Sequence, residues 1–134
     1  MSAVVQVHSN LFQVAEEELG RFFQLFGEGV KELSMPSGFI DSVWHRLLKC
    51  QTKYKAFCLQ TVGKEVGHAQ DSGEGRVPWV RDYEKRFGSL HPVWFMDAHG
   101  NLDQIVYNEY KATGEWTRGS WRCRPIPGDG GDED

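Results

Sequence analysis

Apolar side chains in the first part of the chain recur at steps of three and four residues, the spacing that places them on one face of a helix. This stripe consists of Leu11, Ala15, Leu19, Phe22, Phe26, Val30 and Leu33. Ser9 or Asn10 is a suitable N-cap, and the glycines around Gly27 favour an end there. We therefore expect a long core helix, with a stripe that dimerises two copies of the chain as the alternative.

Two shorter helices are predicted after a break at residues 35–38. The first begins after Ser37, and its buried face consists of Ile40, Val43, Trp44, Leu47 and Leu48. The second covers residues 53–62, with a face made of Tyr54, Phe57, Cys58, Thr61 and Val62. Because the connection between them is short, the two helices should pack against each other.

The second half of the chain alternates polar segments with short apolar ones. Residues 69–76 are polar and contain two glycines, which predicts a loop. Pro78 favours the start of a fourth helix, and Gly88 favours its end. Residues 93–96 form a short apolar run that is typical of a buried strand.

Two more elements are predicted nearer the end of the sequence. In residues 102–113, the spacing of Leu102, Val106 and Tyr110 favours a helix over a strand of a hairpin. Residues 116–124 are predicted to form a strand that carries Trp121 and Cys123 on one face.

These elements predict a mainly α fold with a small β element: four or five helices around one aromatic-rich core, followed by short C-terminal strands. The length of 134 residues, of which 13% are aromatic, suits a single core. We expect residues 1–124 to form one helix-rich domain. Residues 125–134 are rich in glycine and acids, and we expect them to be a disordered acidic tail.

The charge distribution narrows the possible partners. Four acids of the tail account for the net charge of −4, and the other fifteen acids match fifteen lysines and arginines. A neutral body lacks the basic stripe that nucleic-acid binding requires, so no nucleic-acid partner is predicted. No apolar run reaches the ~18 residues that span a bilayer, and the N-terminal residues do not resemble a signal peptide. We therefore expect a cytoplasmic protein with no membrane partner, whose three cysteines are reduced.

Candidate chemistry concentrates in Asp41, His45, Cys58 and His68. Asp41 and His45 are four residues apart and therefore share one face of the second helix. Three interpretations are open. Cys58 is a core residue and His45 a hydrogen-bonded helix residue; or the four side chains hold a metal, with His45, Cys58 and His68 as ligands of zinc; or Cys58 is a nucleophile activated by His45.

The spacing of several residues around this candidate site also supports a resemblance. The pattern consists of Asp41-x-x-Trp44-His45, Tyr54-x-x-Phe57-Cys58, Gly63 and His68. It resembles an uncharacterised bacterial family and the N-terminal region of plant glycine-rich-domain proteins, over about residues 38–68. A later block with Trp121-x-Cys123 is similar to the continuation in some bacterial members. The activity of that family is unassigned, so the resemblance implies boundaries and fold rather than a reaction.

Five tryptophans in so short a chain suggest either dense packing or a recognition surface. Four of them are expected to be at least half buried: Trp44, Trp79, Trp94 and Trp121. Trp116, beside Arg118, is expected to be exposed and to form a candidate binding surface with it. The favoured function is a small, non-enzymatic binding module, such as an inhibitor, immunity or adaptor protein, acting on a protein partner as a monomer or weak homodimer. The alternative is a small enzyme, either metal-binding (zinc) or thiol-dependent, that uses the site of Asp41, His45, Cys58 and His68.

Overall fold

The fold consists of five α-helices, one 3-10 helix and two strands, in a computed structural model that describes the backbone of residues 3–128 and the side chains of residues 10–128. In chain order they are α1 (Ala3–Gly27), α2 (Gly38–Leu48), α3 (Gln51–Val62), β1 (Val66–Gly75), α4 (Val80–Phe87), the 3-10 helix (Pro92–Phe95), α5 (Gln104–Thr113) and β2 (Gly119–Pro127). The prediction of a mainly α fold with a small β element is confirmed. Among the helices so described, none is both long and apolar enough to cross a membrane.

Helix α1 is the centre of the core and packs against α2, α3 and α4. The predicted stripe is correct over the helix, since Ala15, Leu19 and Phe22 are fully buried, but its last two members, Val30 and Leu33, lie beyond the end of α1. The predicted start at Ser9 or Asn10 is wrong, because no glycine or proline interrupts the preceding residues and the helix continues back to Ala3. Its end at Gly27 agrees with the expectation.

Two glycines of α1 allow it to lie close to α3. A Cβ at Gly20 would be 3.0 Å from Thr61 Cγ2, and one at Gly27 would be 2.5 Å from Val62 Cγ2. The glycines therefore reduce helix propensity but permit a close contact between the two helices.

Helix α2 is fixed at its first turn by Ser37. The Ser37 hydroxyl accepts a hydrogen bond from the Ile40 amide at 3.1 Å and donates one to the Val93 carbonyl at 3.0 Å. The short connection to α3 brings the two helices into contact, as predicted. Between them the Trp44 indole donates to the Tyr54 hydroxyl, which donates to the Val66 carbonyl at the start of β1. This chain of bonds places β1 beside α2.

The two strands form an antiparallel sheet, paired from Val66 with Pro127 to Gly75 with Gly119. The loop predicted for residues 69–76 is therefore wrong. The segment forms a strand although it carries few apolar side chains, because its backbone pairs with that of β2. Gly73 leaves room for the Trp121 ring. The tail predicted from residue 125 is also wrong over residues 125–127, since β2 reaches Pro127 and Pro125 is buried. The acidic residues 129–134 lie outside the described residues.

Two further segments in the second half of the chain have predictions that the structure tests, and one of the two is confirmed. Residues 92–95 form a 3-10 helix rather than the predicted strand, because Pro92 suits a first turn and His91 Nδ1 caps it by accepting from the Val93 amide. The helix favoured for residues 102–113 is confirmed as α5. Asp103 accepts from the Val106 amide at its start, and Gly114 ends it at φ 78°.

Tryptophans form much of the core. Trp44, Trp79 and Trp94 are fully buried and Trp121 is partly buried, as expected. The exposure predicted for Trp116 is wrong: only 4% of it is exposed, and its ring lies 4.3 Å from the ring of Phe95, measured between centroids. Polar neighbours in the sequence do not keep it at the surface because the chain around it pairs with Val77, whose amide donates to the Trp116 carbonyl.

Candidate metal centre

Four side chains with metal-ligand chemistry converge where α2 meets the sheet. They are Asp41 and His45 from α2, His68 from β1 and Cys123 from β2, and one ligand atom of each lies within 4.8 Å of the others. We refer to these residues as the four-ligand cluster. Three of the four were candidates from the sequence. The fourth, Cys123, was not.

Helix α2 supplies the exposed half of the cluster. Its four-residue spacing brings His45 Nε2 to 3.4 Å from Asp41 Oδ1, as expected of neighbouring turns. The side chain of His45 is 50% exposed and that of Asp41 is 26% exposed. Both groups therefore lie at the edge of the cluster, where an ion from solvent can reach them.

The sheet supplies the buried half. Cys123 pairs with Gln70, which is two residues from His68 and therefore on the same face of β1. His68 and Cys123 are thus diagonal neighbours across the two strands. His68 is 6% exposed and Cys123 is 2% exposed. The antiparallel register of the sheet is what brings together two residues that are 55 positions apart in the sequence.

Aromatic packing fixes the orientation of His68. Its ring meets the Trp44 ring edge to face at 4.8 Å and the His45 ring at 4.7 Å, measured between centroids. Trp44 is in turn held by its hydrogen bond to Tyr54. The imidazole of His68 is therefore positioned on one side by the fully buried Trp44 ring, a condition for a preorganised binding site, and on the other side by the half-exposed His45.

The Cys123 thiol is already bonded within the cluster. Its Sγ donates to Asp41 Oδ1 at 2.9 Å. Burial, and secondarily the negative charge of Asp41, raise the pKa of Cys123 far above that of a free thiol. The thiol is consequently protonated near neutral pH. A bound cation reverses this preference, because it supplies the positive charge that a buried thiolate needs.

Cys58 lies outside the cluster. It is fully buried beneath the start of β1, where its Sγ accepts a hydrogen bond from the Val66 amide at 3.5 Å. Burial raises the pKa of its thiol. This placement agrees with the interpretation of Cys58 as a core residue, and the structure brings Cys123 rather than Cys58 to Asp41, His45 and His68.

The sequence contained a signal for Cys123 that was read only as strand patterning. The sequence predicts Trp121 and Cys123 on one face of a strand, but it predicts a loop for residues 69–76 and therefore identifies no partner for that strand. A cysteine that alternates inward on a strand becomes a ligand candidate only once the paired strand carries His68.

The second candidate site, the surface of Trp116 and Arg118, does not form as expected. Trp116 is buried against Phe95. Arg118 is exposed and makes an ion pair with the carboxylate of Glu109.

The donor set of the four-ligand cluster is two imidazoles, one thiol and one carboxylate. Zinc binds these groups at ~2.0–2.3 Å in a tetrahedron, which places ligand atoms roughly 3.3–3.8 Å apart. The observed span of 4.8 Å exceeds this by about one ångström. Binding of zinc therefore requires the ligand atoms to move closer together by about this distance.

Comparison of the chain with protein-family models, with curated proteins and with solved structures gives no match to any of them.

Proposed function

We propose that this protein binds a zinc-like divalent transition-metal ion through Asp41, His45, His68 and Cys123. The observation that carries the proposal is the convergence of four ligand side chains from a helix and two strands within 4.8 Å. Ordinary packing has no need to bring two imidazoles, a thiol and a carboxylate to one point.

The identity of the donors favours zinc over the common alkaline-earth ions. Calcium and magnesium take oxygen ligands, whereas imidazole and thiolate suit zinc and its neighbours in the first transition series. A single carboxylate is compatible with such a site. Two neutral imidazoles, a thiolate and a carboxylate also balance the charge of a divalent ion.

The position of the cluster means that a bound ion would link separate parts of the fold. It would join α2 to both strands of the sheet, and α2 is itself anchored to the core by Phe39, Ile40 and Trp44. Because the four ligands converge only in the folded chain, the free energy of metal binding adds to the stability of the fold.

The binding-module interpretation stays a prediction, together with its protein partner and the cytoplasmic location. Small size, the lack of a resolved catalytic set and the excess of tryptophan support it from the sequence. Core packing accounts for that excess, since Trp44, Trp79, Trp94 and Trp116 are all buried.

Metal content of the purified chain tests the proposal. We expect about one zinc per chain after expression with added zinc, measured by elemental analysis of untagged protein. Cobalt substitution should give thiolate-to-metal charge transfer in the near ultraviolet, because a cysteine is among the ligands. Cys123→Ser should abolish that band.

Cys50→Ser is the matched control, since Cys50 is an exposed thiol outside the cluster. It should retain full metal content and the same cobalt spectrum. A thiolate band that survives in Cys123→Ser, or one that is lost in Cys50→Ser, would contradict the proposal, and so would a chain that takes up no metal.

A further inference from the structure

We propose that the bound metal keeps one coordination position that opens into the adjoining cleft and accepts a small anion, in competition with Asp41. This inference rests on the metal site proposed above. It assigns to that site an external ligand of a defined chemical class.

A cleft of about 710 Å³ adjoins the four-ligand cluster. The start of α2, the loop after the 3-10 helix and the first half of β2 form its walls. Asp41 and Ser42 line it from α2, and Ser120 and Arg122 line it from β2. Asp41 is therefore shared by the cluster and the cleft.

The cluster is buried on one side only. His68 and Cys123 form its floor at 6% and 2% exposure, whereas Asp41 and His45 are partly open to solvent. A closed structural zinc site surrounds the ion with protein ligands, and a site that takes external ligands keeps a position toward a cavity. The open side of this cluster includes Asp41, the member of the cluster that also lines the cleft.

Charge favours an anion at that position. A divalent ion bound by His45, His68 and the Cys123 thiolate keeps a net positive charge, which either Asp41 or an external anion can neutralise. The guanidinium of Arg122, next to Cys123 in β2, adds a second positive group to the cleft wall. Arg122 therefore adds positive charge to the cleft through which the anion enters.

The other charged residues of the cleft already have partners elsewhere in the protein. Asp97 accepts hydrogen bonds from the amides of His99 and Asn101. Asp103 caps α5, and Arg118 pairs with Glu109. The backbone donors favour the ionised carboxylate, so the attraction of the metal for an anion must outweigh the negative charge of these two acids.

Azide is a suitable probe, because it is a small monodentate anion that changes the visible spectrum of cobalt when it enters the coordination shell. The experiment titrates the full chain, loaded with cobalt, with azide. We expect a saturable change of the d–d bands while the thiolate charge-transfer band persists.

Two substitutions separate the contributions to anion binding. Asp41→Asn removes the competing carboxylate, so azide should bind more tightly while the thiolate band remains. Arg122→Gln should weaken azide binding roughly two- to fivefold, the range for an exposed charge pair. Arg124→Gln is the matched control, because Arg124 is also exposed on β2 but lines a different cavity and pairs with Asp71 at 3.7 Å. It should leave azide binding unchanged.

The outcomes distinguish the two proposals. A cobalt protein with the thiolate band but no response to azide overturns the open position and leaves the metal site intact. Equal effects of Arg122→Gln and Arg124→Gln overturn the role of the cleft. A chain that binds no cobalt overturns both proposals together.

Discussion

Two carboxylates of this protein sit in polar clusters of opposite character. Glu18 in α1 is 4% exposed and is surrounded by donors of fixed geometry: the Tyr83 hydroxyl, the Trp94 indole at 2.9 Å and the Arg21 guanidinium at 3.3 Å. Asp41 in α2 has a thiol and an imidazole as neighbours instead. The donors around Glu18 complete a structural bond network, in which the Tyr83 hydroxyl also accepts from Arg21. The thiol and imidazole beside Asp41 are groups that bind metal in their deprotonated forms, so they can form a site that exchanges partners.

The comparison shows why burial alone does not identify function. Glu18 is more buried than Asp41, and each oxygen of its carboxylate accepts from a neighbouring side chain, with no thiol or imidazole among these donors. The carboxylate therefore has protein donors for both oxygens and does not depend on water or an ion. The chemistry of the neighbours, rather than the depth of the acid, separates the two clusters.

The largest effect should come from removing the buried acid. Glu18→Ala leaves the Tyr83 hydroxyl, the Trp94 indole and the Arg21 guanidinium without their acceptor, and we expect a loss of about 3–5 kcal/mol in the free energy of unfolding. Urea denaturation measures it. Glu18→Gln keeps an acceptor and should lose less. The metal stoichiometry of any folded Glu18 variant should stay unchanged. A loss of metal in such a variant would show that the two carboxylates do not belong to independent clusters.

The next effect depends on metal. At a free zinc concentration of a hundred times the dissociation constant, binding adds about 2.7 kcal/mol to stability. Thermal unfolding with and without a chelator should show this difference in the unaltered chain. Cys123→Ser should remove the difference, because the thiolate is lost as a ligand. If the chelator lowers the melting temperature of both chains equally, Cys123 is not a ligand.

A third effect is a loss of stability at high pH, and it involves Tyr83, which donates to Glu18. Burial and the bond to Glu18 raise the pKa of Tyr83, so the folded state holds its proton more tightly than the unfolded state does. This contribution is complete below the unfolded pKa of about 10 and is lost as pH rises toward the folded pKa. Stability should fall by up to ~1.4 kcal/mol per pH unit for this group above pH 10.

Tyr83→Phe provides the control for that titration. The variant should be less stable at pH 8 but should show a shallower decline between pH 8 and pH 11, measured by urea denaturation at each pH. Other buried tyrosines contribute to the remaining slope, including Tyr110, whose pKa burial raises to about 12. An unchanged slope in Tyr83→Phe would show that Tyr83 does not titrate with folding.

The smallest effects are expected at the exposed edges of the two clusters. Arg21→Gln removes a partly exposed ion pair with Glu18, and His45→Gln replaces a side chain that is half exposed. Each should change the stability of the metal-free chain by about 1 kcal/mol or less. Only His45→Gln should weaken zinc binding, measured by competition with a chelating dye. Equal zinc affinities would remove His45 from the ligand set.

Local patterns predicted the helices well because each helix carries its own signal. The stripe of α1, the Ser37 cap of α2 and the glycine after α5 are all readable over one or two turns. The strand β1 was missed because its stability comes from pairing with a segment about fifty residues away, which no local pattern reveals.

In the candidate site, too, the residues held by one helix could be predicted, and those that depend on the sheet could not. Asp41 and His45 were predictable as a pair because one helix fixes their spacing. His68 was proposed from the chemistry of its side chain, but its place depends on β1. Cys123 entered the cluster through the register of β1 with β2, so it could not be chosen over Cys58 without the sheet.

The distant pairing of β1 with β2 also bears on the order of folding. The sheet closes a loop that contains α4, the 3-10 helix and α5, and such non-local contacts form more slowly than helical turns. Asp41 and His45 can meet as soon as α2 forms, whereas Cys123 joins them only when that loop closes. In a refolding chain, the appearance of the cobalt–thiolate band would therefore report closure of the sheet, and metal capture would be a late event of folding.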